Sequence, residues 1–143
     1  MRGKIALVTG GATGIGRSIV EALAGQGADI VIADRDIDGA RTTAAAVAGL
    51  GVRSHASEVD IAEVAGHRDY IARIEQEFGP IDILVNNAGV TSTTGLHELT
   101  PDDWDFVMGV NSRGTFFLTQ AVYERMLTRG FGRIISLASI SGE

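Results

Sequence analysis

The chain has 143 residues, enough for one domain with a sizeable core and short for two. Hydrophobic residues make up 45 % and charged residues 21 %, which excludes a disordered or fibrous chain. Twelve Lys and Arg against eighteen Asp and Glu leave a net charge of −6, which works against nucleic acid as a partner, and the absence of cysteine excludes thiol chemistry while fitting a cytoplasmic protein.

Met1-Arg2-Gly3-Lys4 runs directly into an apolar stretch at 5–8, too short for a signal-peptide core or a membrane span, so no membrane association is expected. The stretch reads as a strand apolar on both faces, as in a parallel sheet covered by helices. Thr9-Gly10-Gly11-Ala12-Thr13-Gly14-Ile15-Gly16 follows at once and leads into a helical pattern over 14–26. A glycine-rich turn in that place lets backbone N–H groups approach a pyrophosphate at the positive end of the helix. A plain tight turn is the competing reading, and placement favours the phosphate.

The second strand, 30–33, ends at Asp34, eighteen residues past Gly16. A carboxylate there is placed to hydrogen-bond the adenosine ribose hydroxyls of a dinucleotide and to repel a 2′-phosphate. Arg35, directly after it, could instead pair with such a phosphate. Capping the next helix, over 38–50, is a task that Asp36 or Asp38 could perform equally well. A weaker strand spans 52–57, and Asp60, three residues before Glu63, has the spacing of a capping box opening a helix over 61–78. After the Phe78-Gly79-Pro80 turn, strand 81–85 runs into Asn86-Asn87-Ala88-Gly89 at the carboxyl edge of the sheet, where open α/β folds bind ligands. Two amides in a row there can serve the turn itself or a cofactor.

The last helix, 101–129, is the best marked: Thr100 as N-cap, Pro101 in the first helical position, Asp103 as the capping-box acid and Gly130 as the stop. Two apolar stripes run along it, Trp104, Met108, Leu118 and Val122 on one and Val107, Val110, Phe117 and Ala121 on the other. A helix apolar on two sides needs two partners, the sheet and either a second subunit or further chain. Asn111 lies on the first stripe and must hydrogen-bond a main-chain group, a water or a ligand. Strand 134–137 follows, then Ser139 with Ser136 and Ser141 as neighbours. His55, His67 and His97 lack metal-ligand spacing and are expected at the surface; no metal site is assigned.

Strand and helix thus alternate through five strands, a doubly wound α/β pattern in one domain. The Thr-Gly-x-x-x-Gly-Ile-Gly turn, Asp34, Asp60-Ile61, Asn86-Asn87-Ala88-Gly89, Asn111 and Ser139 together resemble the N-terminal part of the short-chain dehydrogenase/reductase (SDR) family, and the resemblance covers the whole chain. It implies a Rossmann-like parallel sheet in three αβα layers, a single NAD(P)-binding domain over 1–143, incomplete at its C-terminal end. It implies that Gly10, Thr13, Gly14, Ile15 and Gly16 hold the pyrophosphate, Asp34 the adenosine ribose, Asp60 and Ile61 the adenine, and Asn87 and Gly89 the region near the nicotinamide. Ser139 would orient the substrate oxygen and Asn111 would support a water in the proton relay.

The family's general acid/base is a tyrosine in Tyr-x-x-x-Lys. Here Tyr70 is followed four places on by Ile74 and Tyr123 by Leu127, and the single lysine is Lys4, so that pair is absent up to Glu143. The chain is accordingly expected to be the N-terminal part of a longer enzyme and to transfer little hydride by itself. The function expected of the complete protein is NAD-dependent interconversion of a secondary alcohol and a ketone, with NAD favoured over NADP, a small alcohol or ketone as substrate, and a homo-oligomer, dimer or tetramer. The alternative is a dinucleotide-binding module without catalysis, a truncated remnant.

Overall fold

A computed structural model of the chain describes residues 1–139; Ser141 and Glu143 lie outside the described residues. Five strands, β1 (Ile5–Thr9), β2 (Asp29–Asp34), β3 (Ser54–Glu58), β4 (Ile83–Asn86) and β5 (Arg133–Ser136), form one parallel sheet in the order β3-β2-β1-β4-β5. The helices are α1 (Gly14–Gly25), α2 (Ile37–Ala48), α3 (His67–Glu77), α4 (Pro101–Met108) and α5 (Thr115–Arg129). Alternation along the strands divides the core. Ala6, Val8, Ile30 and Ile32 face α1 and α2, while Leu7, Val31 and Leu84 face α3 and α5. The doubly wound, three-layer α/β architecture is therefore present, with its switch of direction between β1 and β4. No helix among the described residues is long and apolar enough to cross a membrane.

Several expectations are corrected. The fourth strand starts at Ile83 because the Asp82 carboxylate takes the Ile5 N–H at 3.0 Å and Lys4 Nζ at 3.2 Å just outside the ladder. The helix expected over 61–78 begins only at His67. Asp60 Oδ1 accepts from Ala62 N at 2.9 Å in a local turn, and a 3₁₀ turn at Val64–Gly66 precedes the helix, so Asp60 opens no capping box. β5 forms as expected but is exposed along its whole length, with Ile135 50 % accessible, because no described helix covers that edge.

The helix expected over 101–129 carries its capping box at Thr100 and Asp103, and Gly130 ends it at φ 69°. Between those ends, Gly109–Gly114 is π-helical. An extra residue in a helical turn rotates everything beyond it by about 100°. Leu118 and Val122 therefore face the core while Trp104, 58 % exposed, and Met108 face outward, so the two continuous stripes do not exist. Helices α3 and α5 are joined by charge: the mostly buried Glu75 carboxylate accepts from Arg129 at 2.8 Å, Arg125 at 3.1 Å and Ile81 N at 3.0 Å, and Arg68 pairs with Glu124.

His67 is 2 % exposed, contrary to the surface position expected of it, because the first turn of α3 packs directly under the Asp60 turn. Its Nδ1 and Nε2, like Ser57 Oγ and the Tyr70 phenol oxygen, are buried without partners of good hydrogen-bonding geometry among the described residues. Burial lowers the His67 pKa below its ordinary 6.5, with the Ile61 main chain opposing. Burial also raises the Tyr70 phenol to about 12, with Ser57 and Arg73 opposing. The unfolded chain takes up a proton at its histidine near pH 6.5 while native His67 stays neutral, so stability is full above that pH and falls as pH drops below it. On the alkaline side the unfolded tyrosine ionises near pH 10 while the native phenol keeps its proton, so stability falls again as pH rises beyond 10. Urea unfolding across the pH range should show both limbs, and His67→Gln should flatten the acid one; an equally steep acid limb in that variant would contradict this origin.

Candidate functional site

The carboxyl ends of β1, β2 and β4 open onto a cleft of about 390 Å³. Its lining includes Gly10, Thr13, Gly14, Ile15, Gly16, Asp34, Asp60, Ile61, Asn87 and Gly89, all ten residues singled out for a cofactor. They come from four separate stretches of sequence. Arg35 and Ala88, each beside an expected residue, complete the wall with Ala33, Val59, Val90 and Val110, and these last four were not anticipated, because scattered apolar residues carry no local signal of their surroundings.

The glycine turn is shaped by close approach. Gly10 has φ 66°, and a Cβ there would come within 2.8 Å of Ala88 Cα. A Cβ on Gly16 would overlap the Gly10 carbonyl oxygen and crowd the Asn87 side chain. The turn delivers α1 with its N-terminus facing the cleft; Thr13 supplies no side-chain cap and the first turn carries no acidic residue. Uncapped N–H groups and the helix dipole together make that end attractive to an anion.

Thr9 was missed, although a polar residue ending an apolar strand just before the glycines is a usable signal. Its buried hydroxyl accepts from Asn87 N at 3.1 Å and Ala88 N at 3.0 Å and donates to Val85 O at 3.4 Å. Asn87 Nδ2 returns the link, donating to Thr9 O at 3.0 Å and Gly10 O at 2.9 Å. The Asn87 amide nitrogen is thus committed to holding the two turns together. Asn86 points the other way, donating to Thr119 Oγ1 at 2.9 Å and Ser136 Oγ at 3.1 Å.

At the far end, Asp34 Oδ2 accepts from Ala12 N at 2.9 Å and Oδ1 from Asp36 N at 3.0 Å. Asp36, not Asp34, caps α2 through Gly39 N. Arg35 Nε lies 3.5 Å from Asp60 Oδ2. Asn111 resolves its alternatives in favour of main chain: Oδ1 accepts from Val90 N and Nδ2 donates to Val90 O, both at 2.8 Å. It stands beside Gly89 without lining the cleft, and Ser139 is exposed just beyond β5. Tyr70 and Tyr123 lie elsewhere, the first buried behind β3 and the second exposed on α5, while Lys4 pairs with Asp82.

The family model of the short chain dehydrogenases matches residues 4–143. The D-threitol dehydrogenase of Mycolicibacterium smegmatis is 42 % identical over 137 residues, covering 96 % of this chain and 53 % of that protein. A crystal structure of NAD⁺-bound xylitol dehydrogenase superposes with TM-score 0.94 at 30 % identity, over 99 % of this chain and 55 % of that one. A metagenomic short-chain oxidoreductase in complex with NADP gives TM-score 0.94 at 30 % identity, over 99 % and 65 %. The chain spans just over half the length of the curated relatives it matches.

Gly16→Ala must displace backbone and is expected to cost about 1–3 kcal/mol of stability. Gly25→Ala, whose Cβ would meet nothing within 4 Å, should instead gain about 0.5 kcal/mol from helix propensity. Urea midpoints at unchanged slope measure both; equal effects would mean that the turn is not set by the Gly10 approach.

Proposed function

The chain belongs to the short chain dehydrogenase family, and from that membership we propose that its cleft holds NAD and that the protein interconverts a secondary alcohol and a ketone. The observation that carries this reading is the uncapped N-terminus of α1, delivered to the switch point of the sheet by a turn whose Gly10 and Gly16 leave no room for a Cβ against Ala88, Asn87 and the Gly10 carbonyl. Gly10, Thr13, Gly14, Ile15 and Gly16 would hold the pyrophosphate, Asp34 the adenosine ribose, Asp60 and Ile61 the adenine, and Asn87 and Gly89 the approach to the nicotinamide. When bound, NAD accepts the hydride from the alcohol carbon, or NADH returns it to the ketone.

The protein's own part is position and proton transfer. Ser139, at the carboxyl edge beyond β5, would orient the substrate oxygen. Asn111 would act as a positioning residue, since its amide clamps the Val90 main chain on the cleft wall. Alcohol oxidation also needs a group to accept the hydroxyl proton. The described residues lining the cleft include no tyrosine, lysine or histidine, so the base is assigned to chain outside them, in keeping with the Tyr-x-x-x-Lys pair that the family resemblance implies. Exposed Trp104, Phe106, Phe116, Phe117 and Tyr123 on α4 to α5 support a homo-oligomer built on those helices.

Preference for NAD follows from Asp34, whose carboxylate would face the extra phosphate of NADP. Calorimetric titration of the full-length protein should show tighter NAD⁺ than NADP⁺, and Asp34→Ala should reduce that ratio about tenfold. Equal binding in the wild type would overturn the preference. Protein that binds NAD⁺ yet forms no NADH with a panel of secondary alcohols would be a binding module instead. Sedimentation at micromolar concentration should find a dimer or tetramer, and a clean monomer would remove the assembly.

A further inference from the structure

Three charged side chains line the adenosine end of the cleft: Asp34, Arg35 and Asp60. Arg35 is the one cation among the described lining residues. A free guanidinium beside Asp34 would be a ready partner for a phosphate monoester, since its planar fork matches phosphate oxygens. It is not free. Asp60 is set by its own turn, Oδ1 accepting from Ala62 N at 2.9 Å, and this leaves Oδ2 to face Arg35 Nε at 3.5 Å. Asp34, whose two oxygens accept from Ala12 N and Asp36 N, forms no ion pair with the arginine among the described residues.

We propose that Asp60 is a specificity-determining residue that holds and neutralises Arg35, so that the adenosine subsite rejects a 2′-phosphate. The inference rests on the dinucleotide reading of the cleft. Two carboxylates against one guanidinium leave the subsite with a surplus negative charge. Removing the Asp60 charge leaves Asp34 and Arg35 balanced and releases the guanidinium toward the ligand. Asp34 then repels the phosphate while Arg35 attracts it, and discrimination collapses. Asp60 and Arg35 are both partly exposed, so the effect is moderate and screened by salt.

The experiment measures the ratio of Kd for NADP⁺ to Kd for NAD⁺ by calorimetry on the full-length protein, for the wild type, Asp60→Asn, Arg35→Gln and the double variant. Asparagine keeps an acceptor for Ala62 N and removes only the charge. At low salt Asp60→Asn should lower the ratio about fivefold, the scale of an exposed ion pair. The drop should shrink at high salt and vanish in the double variant. Arg35→Gln alone should change the ratio by about twofold or less, because Asp60 already neutralises the arginine. A drop that survives without Arg35 overturns the proposal, as does an Asp60→Asn variant that shifts both cofactors by the same factor. Should Asp60→Asn fail to fold, a large change of the ratio in Arg35→Gln alone would overturn it equally. A wild type that binds neither dinucleotide instead overturns the reading of the cleft itself.

Discussion

The buried Thr9 hydroxyl is the contact on which the cleft depends. β1 and β4 diverge where the sheet changes direction, and two adjacent N–H groups after β4 would be left without ladder partners there. Thr9 accepts both and donates its own proton to Val85 O, using its full hydrogen-bonding capacity. An unsatisfied buried N–H costs about 1–3 kcal/mol, so one side chain removes a penalty that two strand ends share. Asn87 then crosses back to Thr9 O and Gly10 O, fixing the glycine turn relative to the end of β4. The distance between these turns sets the width of the cleft, and neither turn determines it alone.

The rest of the second half is arranged around that junction. The π-helical stretch Gly109–Gly114 turns Asn111 onto Val90 and Val110 into the cleft wall, while the helix beyond it returns Leu118 and Val122 to the core. π-bulges of this kind recur at functional sites because they displace a side chain without ending the helix. A continuous α-helix would satisfy its own backbone equally well but would carry Trp104 and Leu118 on one face. At the opposite edge of the sheet, Glu75 ties α3 to α5 and to the approach of β4. The framework under the cleft is thereby held at both ends, by neutral hydrogen bonds above and by charge below.

The Asp34 end of the cleft differs in character from the glycine end. Around the glycine turn the cleft is bounded by main-chain N–H groups and close approach of backbone. Around Asp34, Arg35 and Asp60 it is bounded by side-chain charge on a partly exposed surface, where single substitutions have graded effects.

What the sequence by itself determined is what local periodicity and local sterics control. Apolar runs marked four strands. Glycines between strand and helix marked the tight turn into α1, and Thr100, Pro101, Asp103 and Gly130 marked both ends of the last helical segment. All ten residues expected at a cofactor cleft meet there, because the carboxyl ends of parallel strands share one edge. Tertiary structure alone decided the features that need two distant segments at once. The π stretch, the exposure of Trp104, the burial of His67 beneath the Asp60 turn, the commitment of Asn87 and Asn111 to main chain, and the pairing of Arg35 with Asp60 are of this kind. An amide or a charge looks the same in sequence whether it faces a ligand or a neighbouring carbonyl, and only the partner's position, fixed by packing across the sheet, makes the choice.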